Sequence, residues 1–353
     1  MTKKPIFEKG FGMKILNGIV VGSVVVLIPE ALLNELFKAL LPIFPQGQFV
    51  LDATSLAMTM MAVVIGYAIS MQFKFTPIET ASVAMARGLG SGAWKFAEGG
   101  GFLFAGSGDI INISITATIA TIMILYINGR FKAYTLLLTP TLVLIIAGGI
   151  GVLTLPYVKM FTGGLASMIG SLMDFQPIIM SLLMASIFAV MIVSPISTVG
   201  IALAINLTGI GSANANIGIC ATAFGLAITG RKANSTGISI ALMAGSPKMA
   251  MANVIKKPKI MLPIVCNAAI AGMIGAILGQ QGTPMSAGFG NSGFIGPINA
   301  INLAGGWTFI NILQAIIAFI VVPVALAFIF RYVFTTMKPI VSPRGLQNRG
   351  AII

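Results

Sequence analysis

The sequence predicts an all-α, polytopic membrane protein of about ten transmembrane helices, with two parallel internal repeats and re-entrant Gly-rich segments. Three observations carry that prediction. Hydrophobic residues make up 57% of the 353 and charged residues only 8%, against about a quarter charged in a soluble domain, so there is too little polar surface to face water. Apolar blocks of about 20 residues, the length that crosses a bilayer, follow one another almost from end to end. A basic turn, a proline and a Gly-x-x-Gly then recur together at an offset near 124 residues.

The first block, Ile15–Leu41, is too long for a signal-peptide core and has no small-residue cleavage site, so it is expected to be a retained helix. Val50–Phe73, Pro77–Phe96, Ile110–Ile127, Tyr134–Met160, Ile178–Asn206, Ile217–Thr229, Thr236–Val254, Ile260–Leu278 and Trp307–Phe334 follow. Pro77–Phe96 carries Glu79, Arg87 and several glycines, and Ile217–Thr229 is short. Either could be a broken or re-entrant helix, since non-helical backbone at membrane depth survives only against protein or water. Counting both as crossings puts Arg130 and Lys132 on the same side as Lys256, Lys257 and Lys259 and as both termini, which carry Lys3, Lys4, Lys9, Lys14, Arg331, Lys338, Arg344 and Arg349. With Lys74, 14 of the 21 bases then lie on one side, and the excess of Lys and Arg on cytoplasmic loops makes that side, and both termini, cytoplasmic.

The echo pairs Arg130-Phe131-Lys132, Thr139-Pro140 and Gly148–Gly151 with Lys256–Lys259, Leu262-Pro263 and Gly272–Gly275, and Ser55–Met58 with Ser181–Met184. It divides the chain into a tail and first helix (1–46), a first repeat (47–161), a second repeat (162–280), a re-entrant loop and last helix (281–336) and a cytoplasmic tail (337–353). An even number of crossings per unit makes the repeats parallel, as in one class of transporters.

The formal charge of +13 is scattered in small groups between apolar blocks rather than gathered on one surface, which argues against nucleic acid and for orientation in a lipid bilayer. The absence of histidine removes Ser-His-Asp catalysis, imidazole proton relay and His-based metal sites. Cys220 and Cys266 lie singly in apolar stretches, so no disulfide framework, metal centre or cofactor is expected. The glycine clusters follow no strand and lack Gly-Lys-Ser/Thr, so they are no nucleotide loop.

Polar residues at membrane depth are costly and mark functional sites. The richest stretch is Gly88–Asp109, with eight glycines among Lys95, Glu98 and Asp109. Ser107, Gly108 and Asp109 precede an apolar run as a helix cap does, with free N–H groups pointed at an anionic or hydroxylated ligand. Asn234, Ser235 and Thr236 form the counterpart in the second repeat, and Gly279–Gly306 contributes Asn291 and Ser292 as a re-entrant loop or gate. Glu79 and Arg87 complete the candidate substrate-binding set, which is expected to converge between the repeats. Lys248 is expected to snorkel towards the interface.

The stretches Thr76-Pro77-Ile78-Glu79-Thr80, Ala105-Gly106-Ser107-Gly108-Asp109 and Asn291-Ser292-Gly293-Phe294 resemble the membrane (IIC) subunit of the bacterial phosphotransferase system, in the branch that includes toxin-regulator-like proteins of Gram-positive bacteria. The resemblance implies a homodimeric permease in the bacterial cell membrane that moves a small polar, sugar-like or anionic solute by alternating access. It also implies separate IIA and IIB phosphate-donor proteins, because this chain has no residue of its own placed to relay phosphate. A ligand-sensing regulator without transport and an ion- or proton-coupled carrier using Glu79 and Asp109 are the alternatives.

Overall fold

The computed structural model describes residues 10–104, 106–127, 130–284, 286–337 and 339–341. Lys3, Lys4, Lys9, Ala105, Lys338, Arg344 and Arg349 lie outside the described residues, as does most of the 337–353 tail. Among the described residues six helices are long and apolar enough to cross a bilayer: Phe11–Glu30, Ile110–Ile127, Thr135–Asp174, Gly209–Gly230, Pro258–Ile277 and Phe309–Met337. Pro45–Thr59 and Met61–Gln72, bent by 57° at Met60, make a seventh if the pair is one span. The chain is thus an all-α membrane protein. It folds as two compact units, one of residues before Ile28 with Asp52–Phe161, the other of Ile28–Leu51 with residues from Thr162 onward.

In the first unit, the part of α1 (Phe11–Leu40) that precedes Ile28 lays Gly18 and Gly22, one turn apart, on the backbone of Ile69 and Ile65. Those two belong to α3 (Met61–Gln72), which follows α2 (Gln48–Thr59). A Cβ at either glycine would overlap the Cα it faces, so only the small-xxx-small pattern lets these helices meet. The helix α4 (Pro77–Gly90) starts at a capping box, Thr76 with Glu79. It does not run on to Phe96 as the apolar pattern implied. After Ser91 the chain turns into a hairpin, β1 (Trp94–Phe96) against β2 (Phe102–Phe104), with Gly100 and Gly101 at φ +87° in its turn. The aromatic alternation at period two overrides helix there, and glycines beyond it supply the reversal.

The span α5 (Ile110–Ile127) packs Ala120, Ile124 and Ile127 against Val83 and Ala86 of α4 and against Val143 and Ala147. The last two lie in the π-helical turn, Val143–Gly148, that joins α6 (Thr135–Leu142) to α7 (Gly149–Gly170). Buried Asn112 ties three of these helices together. Its Nδ2 donates to Gly90 O at 2.5 Å and Gly151 O at 2.7 Å, and its Oδ1 accepts from Thr154 Oγ1 at 2.7 Å.

The second unit is organised around α10 (Gly209–Gly230), which is buried along its length among α8 (Pro177–Met191), α13 (Met261–Ile277) and α16 (Val322–Tyr332). The packing is by small residues. Gly218 faces the Ala185 carbonyl directly, Gly272 faces Ala185 Cβ, and Ala185, Ala189, Ala221 and Ala268 form one cluster. Several polar groups in this dry interior bridge helices: Asn214 Nδ2 donates to Ser181 Oγ at 2.8 Å, Thr222 Oγ1 to Ala189 O at 3.0 Å and Asn267 Nδ2 to Pro323 O at 2.8 Å, while Asn214 Oδ1 and Asn267 Oδ1 make no hydrogen bond inside the protein. The remaining elements are α9 (Thr198–Ala204), α11 (Thr236–Ile240), α12 (Met251–Lys256), α14 (Ile295–Leu303) and α15 (Phe309–Ile316).

Candidate functional site

Two helical elements of the second unit break at the same dipeptide. After α8 the chain reads Val193-Ser194-Pro195-Ile196, and after α11 and its π-helical turn, Ala241–Gly245, it reads Gly245-Ser246-Pro247-Lys248. Proline has no N–H and disfavours helical geometry in the residue before it, so each Ser-Pro ends a helix. The serines then hold the broken ends. Ser194 Oγ donates to Met191 O at 2.7 Å, and Ser246 Oγ accepts from Lys248 N at 3.3 Å. Residues Ile178–Asn206 are therefore not one continuous crossing but α8, an unwound stretch and α9.

The unwound stretch leaves carbonyls that no helix satisfies, and Lys248 reaches them. Its Nζ donates to Ser194 O at 2.8 Å and Ile196 O at 3.1 Å, with the residue 3% exposed. The expectation that Lys248 snorkels is overturned, because the ammonium turns inward to the carbonyls of a broken helix. Lys248→Met should lower stability by about 2–3 kcal/mol, the scale of hydrogen bonds to a charged group. Thermal unfolding in detergent would show the loss, and Lys248→Arg should recover part of it.

A third piece, the loop from Gly279 to Phe294, closes over both breaks. Thr198 Oγ1, at the start of α9, donates to Gly288 O at 2.9 Å. Asn216 Oδ1, two turns into α10, accepts from Gly288 N at 3.1 Å and Gly290 N at 2.9 Å. Ser292 Oγ donates to Gly245 O beside the second break. Ser212 Oγ donates to Thr283 O at 2.8 Å, and Asn299 Oδ1 accepts from Thr283 N at 3.0 Å, which fix the start of the loop. Gly288 has φ +98°, and a Cβ there would lie 2.6 Å from Val199 N, so no other residue fits. Within this buried node Asn216 Nδ2 and Asn291 Oδ1 make no hydrogen bond inside the protein. One is a donor and the other an acceptor, held on an interior helix and on the loop that covers it.

The sequence-derived candidates fall in both units. Asn291 and Ser292 are in the node. Asn234, Ser235 and Thr236 open α11, at the far end of that element from Gly245, where Ser235 Oγ accepts from Ile238 N at 3.3 Å. In the first unit Glu79 is half-buried and spends its carboxylate on Thr76, accepting from its N at 2.8 Å and its Oγ1 at 2.9 Å. Asp109 caps α5, its Oδ1 accepting from Ile111 N at 2.9 Å and Asn112 N at 3.0 Å. The N–H groups expected to be free there are thus taken up by the carboxylate itself. Ser107 and Gly108 are half-buried beside it, and Asp109 N donates to Ser91 O at 2.9 Å. Arg87 does not meet Glu79. It is fully buried, with Nε donating to Ile113 O at 3.0 Å, while Nη1 and Nη2 make no hydrogen bond inside the protein.

Thr198, Asn216 and Lys248 carry much of the node, and sequence reasoning missed the first two. The two Ser-Pro dipeptides and the polar Ser212, Asn214 and Asn216 inside an otherwise small-residue helix were the available signals. A family model described as phosphotransferase system, EIIC, matches residues 13–347. No curated protein and no solved structure matches the chain.

Proposed function

Because the chain belongs to the phosphotransferase system EIIC family, we propose that it is a permease whose solute, small, polar and sugar-like or anionic, binds at the node of the second unit. The observation that carries this reading is the pair of buried, unpaired amide atoms, Asn216 Nδ2 and Asn291 Oδ1, at a place where two helices are broken and a loop folds inward. Solute hydroxyls both donate and accept, the two capacities these atoms call for. Discontinuous helices around a buried polar site are the usual construction of a transporter's binding centre. Ser292 then orients the loop, and Lys248 holds the unwound Ser194–Ile196 segment open to it.

Alternating access of a homodimer, with both termini cytoplasmic and two parallel repeats, completes the reading. It needs α4, α8 with α9, and α11 to cross or re-enter the membrane beside the seven longer spans. Their support is that α8 and the α11 element are short apolar helices, that α4 is a 14-residue helix ending at a polar break, and that the basic turns Arg130–Lys132 and Lys256–Lys259 then share one face. Phosphate would come from separate IIA and IIB proteins, because the chain has no histidine and its two cysteines, Cys220 and Cys266, lie within the apolar helices α10 and α13.

Uptake of a labelled sugar panel into proteoliposomes tests this. Transport that requires IIA, IIB and a phosphate donor, and that falls about tenfold in Asn291→Ala, is the expected result, tenfold corresponding to about 1.4 kcal/mol of a lost hydrogen bond. Accumulation without donors would replace it with a secondary carrier, and binding without flux with a sensor.

A further inference from the structure

We infer that the aromatic face of the β1–β2 hairpin is seated in the lipid interface at the amino-terminal end of α5. The strand register pairs Trp94 with Phe104 and Phe96 with Phe102, so all four rings stand on one face, while Lys95 and Leu103 form the other. Three of the rings are packed on one another. Trp94 lies 5.5 Å from both Phe96 and Phe102, and those two are 5.4 Å apart. Yet Phe96 is 74%, Phe102 63% and Phe104 64% exposed. An isolated two-stranded hairpin is marginal in water, and an aromatic face left in water adds a hydrophobic cost to that.

What covers this face follows from where the hairpin is pinned. Trp94 Nε1 donates to Leu89 O at 2.7 Å at the end of α4, and Asp109 N, one residue before α5, donates to Ser91 O at 2.9 Å. The base of the hairpin therefore sits at the first residue of a membrane span. That span has 18 residues, or about 27 Å at 1.5 Å per residue, close to the ~30 Å of a bilayer's hydrocarbon. Ile110 and Ile127 then lie at the two boundaries, and the hairpin lies at headgroup depth. Trp and Phe are suited to that layer, and Lys95 on the opposite face reaches lipid phosphate. The other end of α5 carries Arg130, stacked 3.8 Å from the Tyr126 ring. With basic loops cytoplasmic, the hairpin belongs to the outer leaflet. This inference rests on α5 spanning the bilayer and is independent of which solute is carried.

Single-tryptophan variants test it: Trp307→Phe, which keeps Trp94, and Phe96→Trp in a Trp94→Phe, Trp307→Phe background. Each would be reconstituted in phosphatidylcholine vesicles containing lipids brominated near the headgroup or near the chain end. Quenching at least twofold by the shallow bromines, weaker quenching by the deep ones and protection from aqueous iodide are the expected results. Full iodide quenching would place the face in water. Protection from both iodide and bromolipid would mean that protein, a second copy or another chain, covers it. Either result overturns the inference, and uptake measured on the same vesicles reports on transport separately.

Discussion

Asn216→Ala is expected to release the Gly279–Phe294 loop from α10 and to abolish uptake. The side chain is 1% exposed, and its oxygen is the acceptor for both Gly288 N and Gly290 N. Removing it leaves two N–H groups without a partner in a dry interior, at about 1–3 kcal/mol each, so about 2–6 kcal/mol of stability in all. Thermal unfolding in detergent would measure that loss. Asn216→Asp separates the two roles of the amide. Its oxygen still accepts from the two N–H groups and restores part of the stability, the rest being offset by burying a carboxylate, while the Nδ2 donor offered to solute is gone, so uptake stays low. A melting curve for Asn216→Ala within about 1 kcal/mol of the parent would show that the loop is held elsewhere.

Asn112→Ala should destabilise the first unit by about 2–5 kcal/mol, on the same scale of unmade buried hydrogen bonds. Here the amide works the other way round. It is the nitrogen that donates, to Gly90 O and Gly151 O, where α4 and α7 approach so closely that a Cβ on Gly151 would stand 2.9 Å from Gly90 Cα. Asn112→Asp, which is isosteric, would point a carboxylate oxygen at two carbonyl oxygens and should be no better than Ala. The same conservative change thus rescues one asparagine and fails at the other. Circular dichroism melts of both pairs would check the contrast, and rescue by Asp at Asn112 would refute the clasp.

The membrane class was legible from composition, since 8% charge leaves no soluble alternative. Ile110–Ile127 was legible to the residue because its mean hydropathy stays at 2.1 despite Asn112 and its hydroxyl residues. Buried elements were harder. Only Ile217–Thr229 of α10 stood out, because a helix surrounded by protein can carry Ser212, Asn214 and Asn216 and lose its hydropathy signal without leaving the membrane. Gly88–Asp109 was noticed for its glycines, yet its strand alternation, Trp94 with Phe96 and Phe102 with Phe104, was the more informative pattern and went unread. In the node, Asn291 and Ser292 were found because polar residues in a Gly-rich loop are visible locally. Asn216, 72 residues from Gly288, could be connected to it only by the fold. Glu79 and Asp109 were singled out because carboxylates near spans are rare, and local capping, which sequence spacing does encode, accounts for the hydrogen bonds both make.

The burial of α10 also bears on how the chain enters the membrane during synthesis. A segment leaves the insertion channel sideways when lipid is the better solvent for it, and Gly209–Gly230, with a mean hydropathy of 1.2 against 2.1 to 2.8 for the other five spans, is the least favoured. Its neighbours α13 and α16 are translated later, so α10 emerges before most of its sheath exists. Its full sheath is complete only when the last third of the chain is made. The order of the genetic message thereby puts the carboxy-terminal helices last in enclosing the central one.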